Sequence, residues 1–130
     1  MIAVDTNVLV RLLTEDDAEQ TRRAAALFRK HHVFVPETVL LETEWVLRYV
    51  YGLRPRSIDE AFRKLLGLSE VSVEDPGAVA EALDGYAQGL DFADALHLAS
   101  SGGSEGFAAF DEDLARKGRS LSPPMRVVSP

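Results

Sequence analysis

The chain has 130 residues, 46% of them hydrophobic and 27% charged, with a formal net charge of -7 and no cysteine. That composition is too apolar for a disordered chain and suits one hydrophobic core; it excludes disulfides, thiolate metal sites and cysteine nucleophiles. The acidic balance argues against blanket electrostatic binding of nucleic acid, which needs a face rich in lysine and arginine.

From the N-terminus, Ile2-Ala3-Val4 reads as a short strand ending at Asp5, with Val8 to Leu13 as the first turns of a helix. No basic leader precedes Asp5, and no apolar run approaches the ~20 residues of a membrane span, so a cytoplasmic protein is expected. Asp16 or Asp17 can cap a helix running to about Lys30. Val33-Phe34-Val35 is a second strand, and Pro36 opens a helix from Glu37 to about Tyr51 that ends at Gly52. Ser57 and Glu60 have the spacing of a capping box for the next helix, and Val71-Ser72-Val73 is a weak strand. Pro76 starts a helix through about Gln88, Gly89 breaks it, and Asp91 to Ser100 forms another. Ser101 to Gly106 is a loop, Phe107 to Phe110 a strand, Asp111 to Lys117 a short helix and Arg126-Val127-Val128 a last strand. Gly118 to Pro124 reads as a surface connection.

Short apolar strands alternating with helices, without hairpin signals, predict a single α/β domain over residues 1–130. Its sheet is expected to be mostly parallel, with four to five strands and helices on both faces as an α/β/α sandwich. In such sheets a site forms at the carboxyl ends of the strands.

Four acids stand out. At about 100° per residue, Glu37, Glu44 and Arg48 fall on one polar stripe of their helix, while Glu42 falls roughly 160° away, between Val46 and Tyr49. Glu44 and Arg48 have the spacing of a solvent ion pair, so Glu42 is the acid expected to face inward, where an ionised carboxylate needs a cation or a buried arginine. In the segment Asp91 to Ala99, Asp94 and His97 interrupt an otherwise apolar helix; Asp91 reads as an N-cap, and Asp94 can belong to the same cap. Asp5 and Asp111 each follow an apolar strand and precede a helix, either as caps or, if those strands are neighbours with ends about 5 Å apart, as ligands of one ion. Four carboxylates converging at one sheet edge repel one another unless a cation sits among them, and oxygen donors suit magnesium or manganese. The chemistry this points to is hydrolysis of a phosphodiester by metal-activated water.

The same residues make the chain resemble the PIN-domain family, and within it the VapC-type toxins of toxin–antitoxin pairs. The resemblance rests on Val4-Asp5-Thr6-Asn7, on Leu41-Glu42 followed by Trp45-Val46-Leu47, on Asp91 to His97, and on Phe110-Asp111 followed by Leu114. It implies magnesium- or manganese-dependent cleavage of RNA, with Asp5, Glu42, Asp94 and Asp111 as metal ligands or organisers of water, and Thr6 and Asn7 shaping the site. It also implies a homodimer silenced by a cognate VapB-type antitoxin. Two departures stand against the pattern: Ala109 occupies a position where relatives often carry threonine or serine, and Asp113 competes with Asp111 as the fourth acid. Asp111 is favoured because it directly follows the strand.

Other constellations carry less. His31, His32 and His97 lack a metal-binding spacing, and His97 is expected to be an interior histidine. The stretch Gly102 to Gly106 lacks the ending of a phosphate-binding loop. Trp45, Tyr49 and Tyr51 are expected to be core, with part of the cluster available to a dimer surface. The basic pairs Arg22-Arg23, Arg29-Lys30, Arg63-Lys64 and Arg116-Lys117 are either solvated helix faces or the lining of a groove. The alternative functions are an aspartate-nucleophile phosphotransferase, for which Asn7 stands where a second aspartate is wanted, and a non-catalytic scaffold.

Overall fold

The computed structural model describes residues 1–121 and 124–130. Two compact units are distinguished, residues 1–76 and 77–130. The first holds β1 (Ile2–Ala3), α1 (Thr6–Thr14), α2 (Ala18–Lys30), β2 (Val33–Phe34), α3 (Glu37–Tyr49), α4 (Pro55–Leu66) and β3 (Val71–Ser72). The second holds α5 (Pro76–Ala87, whose first residue belongs to the first unit), α6 (Phe92–Ala99), β4 (Phe107–Ala108), α7 (Glu112–Ser120) and β5 (Val127–Val128).

All strand pairs are parallel, as the alternation of strands and helices predicts. They are hydrogen-bonded as a sheet of three in the order β1-β2-β3 and a sheet of two, β4-β5; a β1–β4 ladder is not among these pairings. In the first sheet Ile2 lies beside Val33 and Val33 beside Val71, so the carboxyl ends of β1 and β2 share one edge. Asp5 and the start of α3 both leave from that edge.

Caps fix the helix starts. The side chain of Asp17, not Asp16, accepts the Gln20 N–H at 3.0 Å and opens α2. α4 begins earlier than the Ser57–Glu60 capping box suggests: Arg54 is its N-cap and Pro55 occupies the first turn, leaving Ser57 inside the helix. Proline's preset φ at the first helical position provides the start that the box was expected to supply. α3 stops after Tyr49, and Gly52 follows at a φ of +68°, a conformation open to glycine at little cost. α7 runs through Ser120, so the expected Gly118–Pro124 connection is helical at its start, and its positions 122 and 123 lie outside the described residues.

In the first unit α1 packs against α2 and α3, and the fully buried side chains include Leu9, Val33, Leu40, Leu47, Ile58 and Phe62. The second unit buries Val79, Leu83, Phe92 and Leu98, with Tyr86 edge-on to Phe92 at 5.2 Å between ring centroids. The aromatic cluster on α3 departs from expectation: Trp45 and Tyr49 are 54% and 60% exposed, tilted against each other with ring centroids 5.3 Å apart rather than built into the core. The buried positions of α3 are Leu40, Thr43, Glu44 and Leu47, spaced i, i+3, i+4 and i+7, and that stripe turns both aromatic rings outward.

Candidate active site

In the first unit the site residues gather where α1 leaves β1. Asp5 is exposed and caps α1, its Oδ1 accepting the Thr6 N–H at 2.8 Å. Thr6 is buried, and its hydroxyl donates to Oε1 of Glu42 on α3. This one threonine thus holds two of the expected acids, Asp5 through its amide and Glu42 through its side chain. Asn7, the next residue, is exposed on the first turn of α1.

Glu42 reaches this place by a route opposite to the one its position on the helix suggests. It is exposed, and the acid that faces the interior is Glu44, only 2% exposed. Glu44 is paired with Arg48, Nε to Oε2 at 2.8 Å and Nη2 to Oε1 at 3.3 Å, so the expected solvent ion pair is a buried one. The Arg48 guanidinium also lies 4.6 Å from the Tyr49 ring centre, on the exposed side of α3.

In the second unit Asp94 lies in the first turn of α6 and is half-buried. Asp91 is the N-cap residue by position, but its side chain does not cap the helix. Burial, reinforced by the negative charges of Asp91 and Asp111, holds the Asp94 carboxyl above its ordinary range; His97 and Lys117 oppose the shift. Asp111 caps α7, with Oδ1 accepting from the Asp113 N–H at 2.9 Å and the Leu114 N–H at 3.1 Å. Asp113 differs from it by being ion-paired with Arg116 and with Lys117, the latter at 3.3 Å. Of the two candidates for the fourth acid, Asp111 is the one whose charge is felt at Asp94. His97 is exposed, not interior, with its ring stacked at 6.4 Å from that of Phe107.

The structure therefore joins Asp5, Thr6 and Glu42 by hydrogen bonds in the first unit, and in the second Asp94 feels the charges of Asp91 and Asp111. Among the described residues no group of three or more His, Cys, Asp and Glu could by itself hold a metal ion. The chemistry of the donors still fits a hard divalent cation. Asp5 and Asp111 each commit one oxygen to backbone N–H groups and keep the other, and Asp94 sits among acids whose repulsion a cation would relieve. Magnesium is usually held by one or two carboxylates, with water and phosphate completing its shell.

An α/β chain with acids at strand ends and in helix first turns has the oxygen donors that a divalent cation and phosphodiester hydrolysis call for. Residues 2–120 match the PIN domain, a stretch that runs through both units and includes Asp5, Glu42, Asp94 and Asp111, and the chain belongs to that family. PIN domains are generally metal-dependent nucleases. No curated protein sequence matches the chain. Among the described residues no helix is long and apolar enough to cross a membrane.

Proposed function

We propose that this protein is a magnesium- or manganese-dependent endoribonuclease, the toxin of a type II toxin–antitoxin pair, with Asp5, Glu42, Asp94 and Asp111 as its metal-holding carboxylates. The observation that supports the reading is Asp94, a half-buried acid in the first turn of α6 that feels the negative charges of Asp91 and Asp111, a repulsion a cation would relieve. What a bound cation supplies there is acidification of an attacking water and neutralisation of phosphoryl charge. The chain's own residues do the positioning. Thr6 fixes Asp5 and Glu42 from its amide and its hydroxyl, and the α7 amides fix one oxygen of Asp111 so that the other points its lone pairs elsewhere. Asn7 offers an exposed amide beside them to a sugar or phosphate oxygen. Hydrolysis consumes one water per phosphodiester and leaves one phosphate end and one hydroxyl end.

The resemblance to VapC-type toxins supports the remainder of the proposal: a cytoplasmic homodimer, one nuclease domain over residues 1–130, inhibited by a VapB-type antitoxin. The exposed Trp45 and Tyr49 on α3 offer apolar area to such a partner. The test is end-mapping of cellular RNA after expression of the wild type and of Asp94→Asn. New 5′ ends with the wild type alone are expected; identical end profiles in the two cultures contradict the reading.

A further inference from the structure

Of the basic pairs along the chain, Arg22-Arg23 on α2 divides sharply. Arg22 is ion-paired with Glu19 at 3.7 Å, with both side chains more than two-thirds exposed. Arg23 makes no hydrogen bond or ion pair among the described residues. Its side chain is exposed. A groove of about 360 Å³ runs between α1 and α2, and Arg23 lines it together with Asn7, Val8, Arg11, Gln20 and Leu27.

The chemistry of that groove is graded. Arg11 is neutralised and held rigid: its Nε donates to Gln20 Oε1 at 2.6 Å, and its Nη1 donates to Asp16 at 3.1 Å and to the Tyr51 hydroxyl at 3.0 Å. The Gln20 oxygen is thereby occupied, which leaves the Gln20 amide nitrogen as a donor. Val8 and Leu27, both half-buried, and Ala24, buried, supply an apolar floor. Gln20, Arg23 and Leu27 recur at i, i+3 and i+7 on α2, so one face of the helix presents amide, cation and apolar surface in line. Asn7, on the opposite wall, is two residues from Asp5 and adjacent to Thr6.

We propose that the α1/α2 groove is a subsite for single-stranded RNA flanking the cleaved bond, with Arg23 holding a phosphate, Val8 and Leu27 receiving a base or ribose, and the Asn7 and Gln20 amides donating to its oxygens. The inference rests on the nuclease reading and extends it, since it places part of the substrate path. Charge complementarity selects the occupant. In a chain of net charge -7, an arginine lining a groove without a carboxylate partner is suited to an anion. The mixture of one cation, amides and an apolar floor is that of single-strand recognition, in which phosphate, base edge and base face are met separately.

The test measures binding apart from cleavage. A labelled single-stranded RNA oligonucleotide is titrated in EDTA with the wild type, Arg23→Ala, Arg23→Lys and the control Arg22→Ala, across a salt series, while magnesium-dependent cleavage is followed in parallel. Arg23→Ala is expected to weaken binding about fivefold or more and to lower the slope of log affinity against log salt by about 0.7, the value for one phosphate contact on a single strand. Arg23→Lys should recover most of the slope, and Arg22→Ala should follow the wild type. An Arg23→Ala affinity and slope equal to those of Arg22→Ala, with wild-type cleavage intact, overturns the subsite and leaves the nuclease reading standing. That is also the outcome expected of a groove that serves a protein partner. A wild type that neither binds nor cleaves RNA sinks both.

Discussion

The two pairs of acids are held in different ways. Asp5 and Glu42 are joined through Thr6, which donates to both, so their charges are met by protein hydrogen bonds. Among the described residues Asp94 and Asp111 share no such donor. Asp111 is satisfied by the amides of its own helix, and Asp94 is left with burial and like charge, which His97 and Lys117 partly offset. The first pair is organised before any ligand arrives, while the second is under electrostatic tension that a divalent cation would release.

Breaking the tense pair should have the largest effect. Asp94→Asn is expected to lower magnesium-dependent RNA cleavage by about a thousandfold, the several kcal/mol that positioning a metal and its water contributes, with the fold retained by circular dichroism. Cleavage within tenfold of the wild type would place Asp94 outside the chemistry. Next comes the acid that the first unit buries. Glu44→Ala removes the buried carboxylate of the Glu44–Arg48 pair and should cost about 3 kcal/mol, or roughly 10 °C in melting temperature. Glu42→Gln keeps an acceptor for the Thr6 hydroxyl and should cost less than about 1 kcal/mol. Thermal melts of the two variants compare these directly, and a reversal of their order would restore Glu42 as the interior acid.

The organised pair should yield more gently. Thr6→Val removes the hydroxyl that holds Glu42 and is expected to reduce cleavage about tenfold, as loss of a residue supporting a ligand typically does, with metal affinity falling in parallel. Full activity in this variant would mean that the Thr6–Glu42 bond does not orient the site. The smallest effect is on pH dependence without metal. The Asp94 carboxyl is raised in the folded state, so between its ordinary value of 3.8 and its folded value the native protein binds more protons than the unfolded chain. Stability in EDTA should therefore fall as pH rises through that window, and Asp94→Asn should flatten the slope. Parallel urea midpoints in wild type and variant across this range would show that Asp94 carries no such strain.

Much of this arrangement could be read from the residues because it is local. Asp5 and Asp111 cap the helices they precede, one of Asp16 and Asp17 caps α2, and Pro76 opens α5, readings that spacing alone offered. The orientation of α3 could not be read in the same way. Val39, Leu40, Leu41, Trp45, Val46 and Leu47 surround that helix with apolar side chains, so no single face dominates, and the wheel assigned Glu42 to the interior. Packing placed Thr43 and Glu44 there, because Arg48 one turn on can neutralise Glu44 at the rim. Likewise the Thr6–Glu42 bond spans 36 residues, and the groove at Arg23 depends on how α1 meets α2, contacts that no periodicity encodes. His97 was misplaced for a related reason: α6 buries Ala95, Leu96, Leu98 and Ala99, which leaves position 97 facing out.

The most direct measurement is manganese binding by electron paramagnetic resonance, titrated into wild type, Asp94→Asn and Glu44→Gln at constant ionic strength. The account predicts a wild-type isotherm displaced by magnesium, weakened at least tenfold by Asp94→Asn and unchanged by Glu44→Gln in the folded protein. Equal manganese affinity in the wild type and Asp94→Asn would contradict the assignment of this acid to a metal centre.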